Sequence, residues 1–393
     1  MIRLFAMFLG ALIATALVVS MQLPLMGRAS AFTTTARSIT SAAGSVPPLA
    51  WPSQGSAALL IPSLGVQRTW HDRVVPIASL TKMMTAYVTL QALPLSPGTE
   101  GPCVTVGPAD VATYAQMNSV DESSARVVDG EQLCEQQLLE GLLVHSAGNY
   151  AVLLSRLVSG SSSAFVERMN QTAAALGLSS THYADESGFS SQSVSSALDQ
   201  AKLARWLMKS ALVRSIVIQP TVTLPVAGTL STFTPLVGTD HVIGVKSGRT
   251  EAAGGCDVMA MTFVQGGQTR VIYAVILGQR SGNMLTPAGA AALALANSAL
   301  ANRVAHVFVR GSVVGRIGWG LQTSDVVVAH RATAYWWAPR RQLPYRIAIS
   351  SFSKPIRRGE QVGWLEVRGL VSTRIELVAA RSVSAPSIWQ RLR

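Results

Sequence analysis

The chain has 393 residues, 49% apolar and 13% charged, with a net charge of +12. That length allows two domains and a large core. No cysteine or histidine pair has metal-ligand spacing, and there is neither a glycine-rich phosphate loop nor an internal repeat. Metal and nucleotide chemistry are therefore set aside and no cofactor is expected.

The N-terminus carries Arg3 and then an apolar run from Leu4 to about Met26. Such a run is near the ~20 residues that span a bilayer, and Ala29-Ser30-Ala31 offers a small-residue cleavage site. Two readings stay open: a retained membrane anchor, or a signal peptide removed after Ala31. Either carries the rest of the chain out of the cytoplasm, to the outer face of the membrane or beyond. Three cysteines suit that compartment. Cys103 and Cys134 form one possible pair, which would leave Cys256 free; the sequence does not settle the pairing. Residues 32–55, rich in Thr, Ser, Ala and Pro, read as a linker.

From Ser56 to Arg73 the pattern predicts a strand and the start of a second. Then comes P-I-A-S-L-T-K-M-M-T-A-Y-V, from Pro76 to Val88. Ser79 and Lys82 are three residues apart at the head of a buried helix, so both sit on one face. A serine hydroxyl is a poor nucleophile without an adjacent base, and a lysine is a base only where burial or a nearby cation keeps it neutral. Leu80, Met83, Met84 and Val88 supply an apolar wall. Only five of the 32 basic residues are lysines, so a titratable amine at 82 stands out; arginine could not replace it as a base.

Further along, a short strand is predicted at 104–106 and helices at 109–117 and over the periodic run from Leu138 to His145. Ser146-Ala147-Gly148-Asn149 follows as a helix–helix turn, then helices over 164–177 and 196–210 flank a loop at 181–189. Gly244 to Thr250, G-V-K-S-G-R-T, reads as an edge strand. There Gly248 leaves room for a ligand against the backbone, and Lys246 and Ser247 suit a bound carboxylate. Two apolar runs joined by Gln265-Gly266-Gly267-Gln268 read as a hairpin, and an Ala-rich helix over 286–302 closes a mixed α+β domain spanning 56–302.

After Arg303 short alternating runs predict a small all-β domain over 303–383. From there to the end, 14 arginines and Lys354 face four carboxylates, which places +11 of the net charge in this region. Such a field favours anionic partners. The basic tail at 384–393, with Trp389, suits a membrane interface. Nucleic acid is not expected as a partner of an exported chain without a nucleic-acid-binding motif.

The order S-x-x-K, S-x-N, K-S/T-G resembles that of the penicillin-binding acyl-serine enzymes. The stretch P-I-A-S-L-T-K-M-M-T is similar to the P-x-A-S-L-T-K-M-M-T of the low-molecular-mass D-alanyl-D-alanine carboxypeptidases, peptidase family S11. G-V-K-S-G-R-T-E-A-A-G is similar to that family's G-x-K-T-G-x-T-x-A-A-G. The resemblance covers roughly 56–383, since Arg358-Gly359-Glu360-Gln361-Val362-Gly363 resembles a segment of the family's C-terminal β-domain. It implies a serine β-lactamase/transpeptidase-like catalytic domain, an antiparallel sheet packed with helices, followed by that β-domain.

By the same resemblance Ser79 is the nucleophile, Lys82 its base and Ser146 a proton relay to the leaving D-alanine. Lys246 and Ser247 hold the substrate carboxylate, and the amides of Ser79 and Arg249 form an oxyanion hole, with Gly248 and Thr250 in the same strand. Peptidoglycan stem peptides are the implied substrates and β-lactams the implied covalent inhibitors. The family's motif has Asn where this chain has Gly148, and Asn149, next along, is the nearest carboxamide to take its place. An alternative reading is a degenerate homologue that binds or scaffolds wall peptides without turnover. A β-lactamase is the weaker fit, for want of an E-x-x-x-N segment.

Overall fold

A computed structural model of the chain describes residues 31–33, 48–319, 322–337, 345–352, 354–368 and 372–384. Contacts divide the chain into two compact units, Pro47–Asn302, and Arg303–Arg393 with Met1–Val46.

The first unit is α+β. Its sheet has five antiparallel strands: β1 (Ser56–Ile61), β2 (Val66–Trp70), β3 (Val242–Thr250), β4 (Gly254–Gln265) and β5 (Gln268–Gln279), in the order β3-β4-β5-β1-β2. Strand β3 is an edge, as its sequence predicts. The turn between β4 and β5 places Gly266 and Gly267 both at positive φ, the backbone a tight hairpin needs and glycine supplies without strain. Successive residues of β1 and β4 are buried without alternation, so both faces of the sheet are covered.

Eight helices are described in this unit: α1 (Lys82–Ala92), α2 (Pro108–Ser119), α3 (Glu135–Leu143), α4 (Gly148–Ser159), α5 (Ser162–Ala175), α6 (Ala197–Leu207), α7 (Ala211–Val217) and α8 (Leu285–Ala301). Helix α8 lies on β4 and β5, and α6 on β1 and β5. Ala288, Ala292, Leu295, Ala296 and Ala299 are fully buried on α8; this is one helical stripe, and its small side chains let the helix approach the sheet closely. Helix α1 is the hub, packed against α3, α4, α5 and α6. Its Met83, Met84, Ala86 and Val88 are at most 1% exposed, which is why the segment reads as continuously apolar.

Some short elements were not expected from sequence. Helix α7 is only seven residues, and the hairpin Thr221–Leu224 with Gly228–Ser231 has four-residue arms; both are too short for periodicity to show.

In the second unit, β6 (Arg303–Phe308), β7 (Val313–Trp319), β8 (Gln322–Val328), β9 (Ala332–Trp337), β10 (Tyr345–Ile349), β11 (Gln361–Arg368) and β12 (Ser372–Ala379) are all antiparallel. Strands β6 and β9 pair with each other. The others form a sheet in the order β7-β8-β12-β11-β10 over a core that includes Val326, Val328, Val362, Leu365, Val367 and Leu377. The short strand Ala31–Thr33 adds antiparallel to β7. The linker expected from residue 32 therefore needs amendment: Phe32 and Thr33 pair with an otherwise open sheet edge, whose unpaired amides and carbonyls accept any extended segment.

No helix among the described residues is long and apolar enough to cross a membrane. The apolar run from Leu4 to Met26 and the basic tail with Trp389 lie outside the described residues.

Cys103 and Cys134 form a disulfide between the paired short strands Cys103–Thr105 and Gln132–Cys134, and Cys256 is a buried free thiol. The bridge closes a loop with a sequence separation of 31, and a cross-link of that size removes chain entropy from the unfolded state. Replacing both cysteines with alanine is expected to lower the unfolding free energy of this unit by about 2–4 kcal/mol. Urea denaturation of the double variant beside wild type under oxidising conditions measures it; coincident midpoints would mean that the bridge contributes nothing.

Candidate active site

Ser79 lies on a single 3-10 turn, Ala78–Thr81, that feeds directly into α1 with Lys82 as its first residue. The spacing predicts a shared face, and the geometry provides it: Lys82 Nζ donates to Ser79 Oγ at 3.0 Å and to the carbonyl of Ser187 at 2.7 Å. Lys82 is 1% exposed. Burial pulls its pKa down to about 8, against the opposing pull of Glu122, Asp185 and Glu186.

The loop that supplies the Ser187 carbonyl is tied down by Asp185. That carboxylate accepts from Ser187 Oγ at 3.0 Å, from the amides of Phe189 and Ser190 at 2.8 and 3.2 Å, and from Ser193 Oγ. Thr85 Oγ1, one turn along α1 from Thr81, donates to the Glu186 carbonyl at 2.6 Å, and Ser162 Oγ donates to Glu186 Oε1 at 2.7 Å. The loop is thus fixed to both α1 and α5.

Strand β3 closes the other side. A Cβ at Gly248 would stand 2.6 Å from Ser79 N and 3.1 Å from Ser79 Cα. The expectation that Gly248 makes room for a ligand is therefore amended: what it makes room for is the backbone of Ser79. Lys246 is fully buried and donates to the carbonyl of Ser247 at 2.8 Å. Burial first, and then the charge of Lys82, hold its pKa well below the ordinary range, while Asp257 pulls it back up. Asp257, opposite Ser247 across β3 and β4, is itself fully buried, and burial raises its carboxyl.

Ser146 sits at φ 65 in the tight turn between α3 and α4, 3% exposed, and its Oγ has no hydrogen-bond partner among the described residues. Asn149 does not take the place of the missing carboxamide. Its Nδ2 donates to the Ala125 carbonyl at 2.8 Å and its Oδ1 accepts from the Ala125 amide at 2.9 Å, so both ends serve the backbone of the preceding loop. Ser247 Oγ donates to the Phe233 carbonyl at 2.9 Å, Thr250 Oγ1 accepts from the Ala253 amide at 3.1 Å in the β3–β4 turn, and Arg249 is exposed.

Sequence reasoning missed Glu122, Asp185, Ser187 and Asp257. For Asp257 a signal existed, a lone carboxylate inside the apolar strand G-G-C-D-V-M-A-M. For Glu122 the only signal was Gly148, a bare backbone where the motif has a side chain. A Cβ on Gly148 would overlap Glu122 Oε1, approach Glu122 Cδ to 3.1 Å and meet Met117 Sδ at 3.3 Å. The space before Gly148 belongs to Glu122.

With this geometry in place, the comparisons with known proteins are informative. A D-alanyl-D-alanine endopeptidase of Pseudomonas aeruginosa is 32% identical over 201 residues, 49% of this chain and 61% of that protein. The D-alanyl-D-alanine carboxypeptidase DacA of Escherichia coli is 32% identical over 212 residues, 51% of this chain and 50% of that one. The chain thus spans between half and two thirds of the length of these two curated relatives. Among solved structures, penicillin binding protein 5 of Haemophilus influenzae superposes with a TM-score of 0.60 at 20% identity, covering 87% of this chain and all of that one. A DD-transpeptidase of Streptomyces superposes with a TM-score of 0.55 at 24% identity, covering 65% of this chain and 98% of that one; at such identities both speak to the fold alone. A family model described as D-alanyl-D-alanine carboxypeptidase, peptidase S11, matches residues 67–281, more than half of the chain, and the chain belongs to that family.

Proposed function

We propose that this chain is a serine-type D-alanyl-D-alanine carboxypeptidase that removes the terminal D-alanine from peptidoglycan stem peptides through an acyl-serine intermediate. The observation that carries this reading is the 3.0 Å contact between Ser79 Oγ and a fully buried Lys82 whose pKa falls to about 8. At neutral pH a fraction of such an amine is unprotonated and able to accept a proton. Family membership and the S-x-x-K, Ser146 and K-S-G positions support the same assignment.

In this mechanism the neutral Lys82 amine takes the Ser79 proton as Oγ attacks the carbonyl of the terminal peptide bond. The developing oxyanion lies between the amide of Ser79 and that of Arg249, which follows the close contact of Gly248 with Ser79. As the tetrahedral intermediate collapses, the carbon–nitrogen bond breaks and the Lys82 proton passes through the Ser146 hydroxyl to the leaving D-alanine amine. Water then hydrolyses the ester. Lys246, with the strand around Ser247 and Thr250, offers the positive field for the substrate's terminal carboxylate. A β-lactam would enter the same route and stop at the acyl-enzyme.

We further propose that the chain works outside the cytoplasm, directed there by its N-terminal segment. The arginine-rich region after Arg303 would hold it near an anionic membrane surface or wall polymer. Within this region Arg316 pairs with Asp325 and Arg374 with Glu366.

Two outcomes are expected. Wild type should release D-alanine from diacetyl-Lys-D-Ala-D-Ala and take up a fluorescent penicillin, both lost in Ser79→Ala. Because the base acts when unprotonated, the acylation rate should climb as pH rises through about 8; release that persists in Ser79→Ala would defeat the assignment, and labelling without release would favour the peptide-binding alternative. The full chain should also co-sediment with phosphatidylglycerol vesicles, less so at 0.5 M salt (about a 4 Å screening length) and not with phosphatidylcholine. Equal binding to both lipids would remove the electrostatic tether.

A further inference from the structure

The loop between α2 and the strand Gln132–Cys134 delivers a carboxyl group to the lysine–serine pair from a position that no motif marks. We propose that Glu122 is a positioning residue of this site, its carboxyl group occupying the space in front of Gly148 that a side chain at that position would fill, and there orienting Lys82 and meeting the amide of the bound peptide. The inference rests on the carboxypeptidase reading above and deepens it.

Four observations carry it. Glu122 Oε1 is shielded from solvent and has no hydrogen-bond partner among the described residues. A buried acceptor without a donor is costly, so one kept in the field of Lys82 has a ligand atom as its natural partner. The Glu122 carboxyl fills the space in front of Gly148, since a Cβ at 148 would overlap Oε1 and the carboxyl would have to move aside. The loop is also held in place by the very residues around Gly148. The Gly148 amide donates to the Ser123 carbonyl at 2.7 Å, and Asn149 grips both backbone groups of Ala125. The Glu122 amide itself caps α2 through the Met117 carbonyl at 3.0 Å. Asn149 is therefore the clamp that presents Glu122 rather than its substitute.

The fourth observation is electrostatic. Glu122 and Lys82 feel one another's charge, and burial raises the Glu122 carboxyl above its ordinary value. The Ser187 hydroxyl, which donates to Asp185 Oδ2, is also within reach of Glu122. The charged groups facing the pair are Asp185 and Glu186 from the 181–189 loop and Lys246 from β3. A protonated carboxyl offers one donor and one acceptor, the same pair a carboxamide offers. An ionised one holds Lys82 as ammonium. Glu122 thus combines the positioning that a carboxamide gives with a charge that sets where Lys82 titrates.

The test is the rate at which a fluorescent penicillin acylates Ser79, followed against pH in the full chain, with D-alanine release and melting temperature alongside. Glu122→Ala should slow acylation by about 10- to 100-fold, the scale of a misplaced reacting group. Glu122→Gln keeps shape and hydrogen bonding but removes the charge, so Lys82 should lose its proton more easily. The plateau rate should then stay within a few-fold of wild type while the half-maximal pH moves down. Gly148→Asn alone displaces Glu122 and should be slow, and Glu122→Ala/Gly148→Asn should regain at least tenfold over it. A wild-type rate and pH profile in Glu122→Ala, or an unmoved profile in a folded Glu122→Gln, would overturn the inference while leaving the carboxypeptidase reading intact. If wild type neither labels nor releases D-alanine, both fall together.

Discussion

The structure of the first unit depends on one costly act, the removal of the Lys82 ammonium from water. Burying a cation without compensation would force it fully neutral. Three carboxylates, on Glu122, Asp185 and Glu186, oppose that, and the balance settles near a pKa of about 8. An amine so poised needs fixed partners, because a group that could swing back into solvent would recover its ordinary pKa. The Ser187 carbonyl and Ser79 Oγ provide them. The loop around Asp185, held by four donors to one carboxylate, keeps that carbonyl where the lysine can reach it.

The same logic recurs in Lys246, 0% exposed at the sheet edge. Its nearest compensation is the carbonyl of Ser247 and the field of Asp257, whose two oxygens have no donor among the described residues. The charge of Lys82 also disfavours a proton on Lys246. Lys82, Glu122, Lys246 and Asp257 are each shifted by burial and by a neighbouring charge, so their proton affinities are linked. Changing the charge of Glu122, Asp185 or Glu186 therefore acts on Lys82 without removing its hydrogen-bond partners.

What was legible in the sequence was what is local. Ser79 and Lys82 lie within one turn, and the K-S-G strand and the hairpin after it announce themselves by apolar runs and glycine. The fold class followed from helices flanking a run of strands. What escaped was brought together by the tertiary fold across long stretches of chain. Glu122 precedes Gly148 by a loop, the short strand Gln132–Cys134 and a helix, in a polar stretch indistinguishable from an ordinary loop, and Asp185 sits in another. Asn149 was misjudged for a related reason: a carboxamide one residue from the expected position is close in sequence, but on a helix one residue turns a side chain by ~100°, here toward Ala125. The pairing of Cys103 with Cys134, left open by the sequence, follows from two short strands whose register sets these residues opposite each other.

The backbone leading into Ser79, the proposed nucleophile, is held in a conformation it would not choose freely. Ala78, immediately before Ser79, has φ 49, a region that costs a non-glycine residue about 1–2 kcal/mol. Such a conformer persists only where its surroundings leave no alternative. Here two glycines provide the confinement. Gly248 brings β3 against Ser79 N, and Gly188, at φ +80, brings the Asp185 loop against the carbonyl of Ala78, with Thr81 Oγ1 at 2.6 Å from where its Cβ would be. The turn is pressed between an edge strand and a tethered loop, and a side chain on either glycine would prise it open. The strand that carries Lys246 and the loop that receives Lys82 therefore also confine the backbone at Ser79, so that Ser79, Lys82 and Lys246 are set by the same contacts.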